Sequence, residues 1–316
     1  MTICLVTPAA PGSRKGNRVT ALRWAKRLRE LGHRVRLREQ LSAGRWDLVI
    51  GLHARKSAPS VTWAAAAGIP VIVALTGTDL YDDLARSPEA RRALELARRI
   101  VTLQPLAVRE LPPELRARTR PILQSARAVA GGPPDAGHFD VCVVGHLREV
   151  KDPLRAATAA RLLPPASRVR VLQVGGPYSD GWAEAARAEA ATNPRYRWLG
   201  ERPRVETLAL ISRCRLLALT SRLEGGANVI SEALAAGVPV VSSRIDGSIG
   251  ILGPDYPGYF PVGDTKALAA LLGRCERDGA FLSALTAWCA GLRPLVEPSR
   301  EREAWKALLA EIGPGG

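Results

Sequence analysis

Thr220-Ser-Arg-Leu-Glu-Gly-Gly-Ala-Asn-Val-Ile-Ser-Glu232, continuing as Ala-Leu-Ala-Ala-Gly-Val-Pro-Val-Val-Ser242, carries the pattern from which the rest of the chain is read. Glu224 and Glu232 are separated by seven residues, with Gly225-Gly226 after the first. The apolar run Leu216 to Leu219 ahead of it predicts a strand buried on both faces of a parallel sheet. Val229, Ala233, Leu234 and Ala236 recur at helical spacing, and Gly237 with Pro239 stops that helix before a second buried strand, Val238 to Ser242. The unit is therefore strand, glycine turn, helix, strand, and its turn falls at the carboxyl end of a strand, where open α/β sheets bind ligands.

The residue types in that turn point to a particular chemistry. Gly225 and Gly226 allow close approach of the backbone, and N–H groups at a helix start favour an anion. Glu232, about one turn into the helix, is placed to accept hydrogen bonds from a vicinal diol such as a ribose. Glu224, at the strand end, is placed to meet sugar hydroxyls. A diphosphate between a ribose and a hexose is a nucleotide-sugar. From spacing alone, an ordinary Rossmann-like turn with two solvated glutamates is an equally open reading.

The Glu-x7-Glu element followed by Ala-Leu-Ala-Ala-Gly-Val-Pro-Val resembles the donor-site signature of the GT-B glycosyltransferases of the family-4-like group. Four further phrases are similar to the small selenosugar-synthase subgroup of selenoneine biosynthesis. They are Thr7-Pro-Ala-Ala-Pro-Gly-Ser-Arg-Lys-Gly-Asn-Arg-Val-Thr-Ala-Leu-Arg-Trp24, Ala74-Leu-Thr-Gly-Thr-Asp-Leu-Tyr81, Gly145-His-Leu-Arg-Glu-Val-Lys-Asp-Pro153 and Asp255-Tyr-Pro-Gly-Tyr-Phe-Pro-Val-Gly-Asp264, and together they span nearly the whole chain.

At 316 residues the chain is long enough for two ordinary domains. No apolar run is expected to reach the length of a membrane span. Met1-Thr-Ile-Cys-Leu-Val leads straight into a strand without a signal peptide, so a soluble, cytoplasmic protein is expected. Five cysteines, Cys4, Cys142, Cys214, Cys275 and Cys289, show no metal-ligand spacing; three of them lie in or beside apolar strands and read as buried thiols. The net charge of +15 raises the question of nucleic acid or an anionic membrane. The arginines are instead spread over many helix faces with glutamates between them, and no basic stripe is interleaved with aromatics. Neither nucleic acid nor stable membrane association is expected.

From the amino terminus, Ile3 to Thr7 reads as a buried strand. The turn Pro8 to Gly16 leads into a helix from about Asn17 to Leu31, with Val19, Leu22, Ala25 and Leu28 as its apolar face. Arg14, Lys15, Gly16, Asn17 and Arg18 make a basic, N–H-rich anion site at that turn. Strands follow at Val35–Arg38 and Asp47–Leu52, and the second ends at His53, with Arg55 and Lys56 beside it. Pro70–Leu75 ends in Thr76-Gly77-Thr78-Asp79, where Asp79 could orient His53, bind an acceptor, or cap the next helix. Arg127 to Gly137 breaks all periodicity and has the composition of a linker.

The second half opens with the strand Phe139–Val144 and turns at Gly145. The resemblance implies a lysine six residues after this glycine, matched by Lys151, and an arginine directly after it, where His146 stands; Arg148 is the substitute cation. It also implies that Leu199 to Arg202 neighbour the nucleotide base. Ser243 to Gly250 lacks the glutamate that many relatives carry, which argues for a specialised subgroup. Ser299 to Ile312 reads as an amphipathic final helix.

The fold class expected is α/β, GT-B: two Rossmann-like αβα domains facing a central cleft, with a C-terminal helix returning to the first domain. The expected bounds are 1–130 for an acceptor-binding domain, 138–296 for a nucleotide-sugar domain, and 297–316 for the crossover helix. The donor set is Gly145, His146, Arg148, Lys151, Leu199, Arg202, Glu224, Gly225, Gly226, Ala227, Asn228 and Glu232. The acceptor set is Arg14 to Arg18, His53, Arg55, Lys56 and Thr76 to Asp79. His53, Asp79 and Glu224 are the catalytic candidates. No Asp-x-Asp motif sits where a metal would be needed, so neither metal nor cofactor is expected. The resemblance implies a UDP-sugar donor, N-acetylglucosamine first, and selenophosphate as acceptor, giving a 1-selenosugar with release of UDP and phosphate. The alternatives are an ordinary transferase acting on an alcohol or lipid-linked acceptor, a non-catalytic sugar-nucleotide binding module, and a nucleic-acid binder.

Overall fold

A computed structural model describes residues 1–313; the last three residues of the expected crossover segment lie outside the described residues. The chain forms two compact units. The first contains Met1–Ser125, Glu224–Gly226 and the chain from Glu297 onward, and the second contains Ala126–Leu223 and Ala227–Val296.

In the first unit, β1 (Thr2–Val6), α1 (Gly16–Glu30), β2 (Arg34–Arg38), β3 (Leu48–Leu52), α2 (Ala54–Ala66) and β4 (Val71–Ala74) alternate, followed by a π-type turn at Asp79–Asp83. Then come α3 (Leu84–Arg86), α4 (Pro88–Leu96), β5 (Arg99–Thr102), α5 (Pro113–Arg116) and β6 (Thr119–Pro121). The sheet is wholly parallel in the order β2-β1-β3-β4-β5-β6. Its central strands are apolar throughout because helices cover both faces. The edge strand β2 exposes Arg34, Arg36 and Arg38 on alternate residues, a charge pattern that discourages edge-to-edge pairing.

The second unit holds β7 (Phe139–Val144), α6 (Arg155–Arg161), β8 (Val169–Val174), α7 (Asp180–Thr192), β9 (Tyr196–Trp198), α8 (Arg204–Arg213) and β10 (Leu216–Leu219). It continues through α9 (Asn228–Ala236), β11 (Val240–Ser243), α10 (Asp246–Leu252), β12 (Tyr259–Phe260), α11 (Thr265–Arg277) and α12 (Gly279–Leu292). This sheet is also wholly parallel, ordered β12-β11-β10-β7-β8-β9. A last helix, α13 (Pro298–Ala310), belongs by its contacts to the first unit. Its Trp305 meets Trp24 of α1 edge to face, with ring centroids 4.8 Å apart.

Three expectations change. The buried residues of α1 are Thr20, Ala21, Trp24, Ala25, Arg27 and Leu28, while Leu22 is 52% exposed. The helix is rotated from the expected face because Trp24, the larger side chain, takes the inward position against Trp305. Asp79 opens the π-type turn and does not cap a regular helix. Gly279–Val296 is, by length and composition, apolar enough to cross a membrane, contrary to the expectation that no run reaches that length. Small residues dilute its apolar signal: it buries Phe281, Leu285 and Cys289, while Ala280, Ala284 and Ala287 face outward. All five cysteines are free and buried, and burial pushes the Cys4 thiol up to about 11 and that of Cys275 to about 12.

Candidate active site

Both sheets change direction beside their first strand. In the second unit β7 lies between β10 and β8, so the chain runs outward one way through β8 and β9 and then returns to the other side at β10. The loops leaving β7 and β10 thus flank a topological switch point, where a crevice opens at the carboxyl ends of the strands. These are the loops that hold Gly145–Lys151 and the Glu224–Asn228 turn. They are stitched together directly: Arg222 N–H donates to the Val150 carbonyl at 2.8 Å, and Thr220 Oγ1 to the Lys151 carbonyl at 3.0 Å. In the first unit the switch lies between β1 and β3, which places the Arg14–Arg18 turn and the His53–Lys56 segment at adjoining strand ends.

In the second unit Gly145 packs so closely on Gly175 that a Cβ on Gly175 would stand 1.9 Å from the Gly145 carbonyl oxygen. The guanidinium of Arg148 lies over the Tyr178 ring, 5.5 Å from its centroid. Arg202 folds back, its Nε donating to the Leu199 carbonyl at 2.9 Å. Helix α9 starts after Ala227, which makes no side-chain cap, and has no acidic residue in its first turn, so its N-terminal field favours an anion.

Glu232 is buried on α9, 5% exposed, and Arg204 Nη1 lies 2.7 Å from its Oε1 as an ion pair. Arg204 occupies the first position of α8, where the helix dipole disfavours a cation. Its placement there serves the carboxylate. Sequence reasoning passed over Arg204, and the only signal for it is that unfavourable helix position.

In the first unit Arg14, Lys15 and Gly16 are exposed, while Asn17 and Arg18 are half-buried. The start of α1 likewise has no acid in its first turn and no side-chain cap at Lys15. Asp79 is fully buried and its carboxylate is engaged on both oxygens: Oδ1 accepts from Thr76 N–H and Gly77 N–H, each at 2.8 Å, and Oδ2 from Ala54 N–H at 3.0 Å. Its work is to tie the loop after β4 to the start of α2.

His53 has φ of 73° and is 2% exposed. Its Nδ1 faces Lys56 N–H at 3.5 Å, and its Nε2 lies 3.3 Å from Thr78 Oγ1 and 3.6 Å from Asp83 Oδ2. Burial lowers its pKa below the ordinary value, outweighing the carboxylates of Asp79 and Asp83, so the ring is neutral near pH 7. Asp83, which the sequence did not single out, also takes Arg55 Nε at 3.0 Å. The arrangement holds His53 in place between the start of α2 and the loop after β4.

Among the described residues no cluster of His, Cys, Asp or Glu is arranged to hold a metal ion.

The fold is that of the GT-B glycosyltransferases. It is similar to Anabaena HepE, described in complex with UDP and glucose, with a TM-score of 0.78 at 18% identity over 98% of this chain and 99% of that one. It is also similar to the pneumococcal O-GlcNAc transferase GtfA in complex with UDP and GlcNAc, with a TM-score of 0.64 at 15% identity over 84% of this chain and 57% of that one. Residues 130–286 match the family model described as glycosyl transferases group 1. Over an alignment of 154 residues that covers 44% of this chain, it is 30% identical to the D-inositol 3-phosphate glycosyltransferase of Corynebacterium kroppenstedtii, of whose length 33% is covered.

Proposed function

We propose that the protein is a glycosyltransferase that takes a UDP-sugar, UDP-N-acetylglucosamine first, and passes the sugar to selenophosphate. The observation that carries the donor half is the switch point of the second sheet, which joins the Lys151 loop to the strand leading into the Glu-Gly-Gly turn, α9 and Glu232. In this reading Glu232 receives the ribose hydroxyls, and Leu199 to Arg202 border the base. Gly145, His146, Arg148, Lys151 and the Gly225–Asn228 amides take the diphosphate, and Glu224 meets the hexose. As the bond from the anomeric carbon to the diphosphate oxygen breaks, charge grows on the leaving group, and these cations and N–H groups are set to stabilise it without a metal ion.

The acceptor half is supported by the engagement of His53 and Asp79. An alcohol acceptor usually needs a base; the Asp79 carboxylate already accepts from three N–H groups, and His53 is buried beside Thr78 and Asp83. Selenophosphate arrives as an anion, so it needs cations that hold it and no proton acceptor. Arg14, Lys15, Arg18, Arg55 and Lys56, with the N–H groups at Gly16 and Asn17, supply that environment. Selenium attacks the anomeric carbon as UDP departs, and water then cleaves the P–Se bond to give phosphate and the 1-selenosugar.

The test is mass spectrometry of products from purified protein, UDP-N-acetylglucosamine and fresh selenophosphate, with and without EDTA. The expected result is a product with the selenium isotope pattern and equimolar UDP, unchanged by the chelator. Sugar transfer to alcohols, or slow donor hydrolysis, with no selenium product would overturn the acceptor and leave the donor standing.

A further inference from the structure

Glu224–Gly226 follows β10 in the chain but is gathered by its contacts into the first unit, and what grips it there is specific. A Cβ on Gly225 would stand 2.5 Å from the Thr76 carbonyl carbon and 2.7 Å from Gly77 N. One on Gly226 would stand 2.6 Å from Leu103 Cβ. On its open side the Gly226 carbonyl accepts a hydrogen bond from Gln124 Nε2 at 2.6 Å. Gln124 is 2% exposed and lies just beyond β6, outside any motif.

Its other amide atom is equally committed. Gln124 Oε1 accepts from Thr20 Oγ1 at 2.7 Å and from Arg23 Nη2 at 2.5 Å. Arg23 Nε in turn pairs with Glu301 Oε1 at 3.0 Å, Trp24 Nε1 donates to the same oxygen at 3.0 Å, and Ser125 Oγ donates to Glu301 Oε2. With its oxygen held by Thr20 and Arg23, and Arg23 held by Glu301, the amide presents its nitrogen to the turn. An amide is suited to this position because it accepts on one side and donates on the other. The chain passes from one unit to the other at 125/126, around 224–226 and at 296/297, and each passage contributes a residue to this network: Gln124 and Ser125, Gly226, and Glu301.

We propose that Gln124 is a positioning residue for the nucleotide-sugar site, fixing the peptide planes of the Gly225–Gly226 turn for the diphosphate through the Arg23–Glu301 pair. This rests on the UDP-sugar reading above. Gln124 touches neither substrate; it acts through the Gly226 carbonyl. A carboxylate in its place would keep the acceptor that Thr20 and Arg23 need and lose the donor to Gly226. A methionine would lose both.

The experiment is UDP titration by calorimetry, with thermal unfolding, on the wild type, Gln124→Glu, Gln124→Met and Ser125→Ala. A buried carbonyl left unpaired predicts that UDP binds about tenfold more weakly in both Gln124 variants. Ser125→Ala removes a hydrogen bond from the same network without touching the turn, so it should lower the Tm and change UDP affinity less than about twofold. Wild-type affinity in both Gln124 variants would overturn the proposal. If the wild type binds no UDP, the nucleotide reading falls, and amide exchange decides the remainder. Faster exchange at Gly225–Asn228 in Gln124→Met sustains the positioning role, and unchanged exchange overturns it.

Discussion

Glu232 is a carboxylate held almost out of water, and its charge is answered by one guanidinium. The Arg204 side chain is 45% exposed, so water screens part of the pair and its worth falls below that of a fully buried ion pair. Arg204→Ala should therefore destabilise the protein by about 1–2 kcal/mol, mostly because Glu232 is left buried and uncompensated. Arg204→Ala with Glu232→Gln should recover most of that loss, because the neutral amide no longer needs a cation. Glu232→Ala should bind UDP about tenfold more weakly with little loss of stability, as expected when hydrogen bonds to a diol are removed. Urea unfolding of the three variants, with UDP titration, checks both halves. A double variant no more stable than Arg204→Ala would sink the charge argument, and unchanged UDP affinity in Glu232→Ala would remove the ribose assignment. Glu232 could be read from its spacing after Glu224, but Arg204 lies 28 residues before its partner, and no local pattern connects the two.

At the scale of elements, the strand-turn-helix-strand unit was legible because it is local: β10, α9 and β11 lie within a residue or two of the bounds that apolar runs and the Gly237 stop define. What was not legible is how loops from different strands tie together. From the sequence Asp79 could orient His53, bind an acceptor or cap the next helix; the structure spends its carboxylate on N–H groups from the β4 loop and from α2, 25 residues upstream. Asp79→Asn would turn one side of that carboxyl into an N–H2 facing an N–H donor. The expected cost is about 2–4 kcal/mol, from orphaned buried donors at the start of α2 and in the Thr76–Gly77 loop. A fall in Tm, together with faster amide exchange confined to Ala54 and Thr76–Gly77, would confirm it. If the variant unfolds like the wild type, the carboxylate is no knot in the loops and the catalytic reading of Asp79 regains ground.

For the molecule as a whole, the two-sheet architecture followed from composition and alternation, whereas the meaning of a net charge of +15 did not. The structure shows where many of those cations go. Arg195 reaches the carbonyls of Ala160, Leu163 and Pro164; Arg118 reaches those of Glu95 and Ala97; and Arg161 grips Glu189 through two nitrogens. These guanidiniums satisfy carbonyl groups and carboxylates one at a time, and none of these contacts builds a track for a polyanion. A diphosphate presents few charges, so log UDP affinity should fall only weakly with log salt, with a slope of about −2 to −3, against about −5 to −9 for a protein that contacts 6–10 phosphates of a nucleic-acid backbone. Random-sequence DNA should bind only in the weak non-specific range of about 10⁻⁴ to 10⁻⁶ M at physiological salt. Parallel titrations of UDP and of a short duplex between about 50 and about 300 mM salt separate the two cases, since over that span a nucleic-acid binder loses several orders of magnitude in affinity. Nanomolar duplex binding with a slope steeper than about −5 would mean that the arginines act together after all, and would make a polyanion a natural partner of the protein. A shallow slope for UDP alone would mean that the charge acts locally, a few cations at a time, as the proposed function requires.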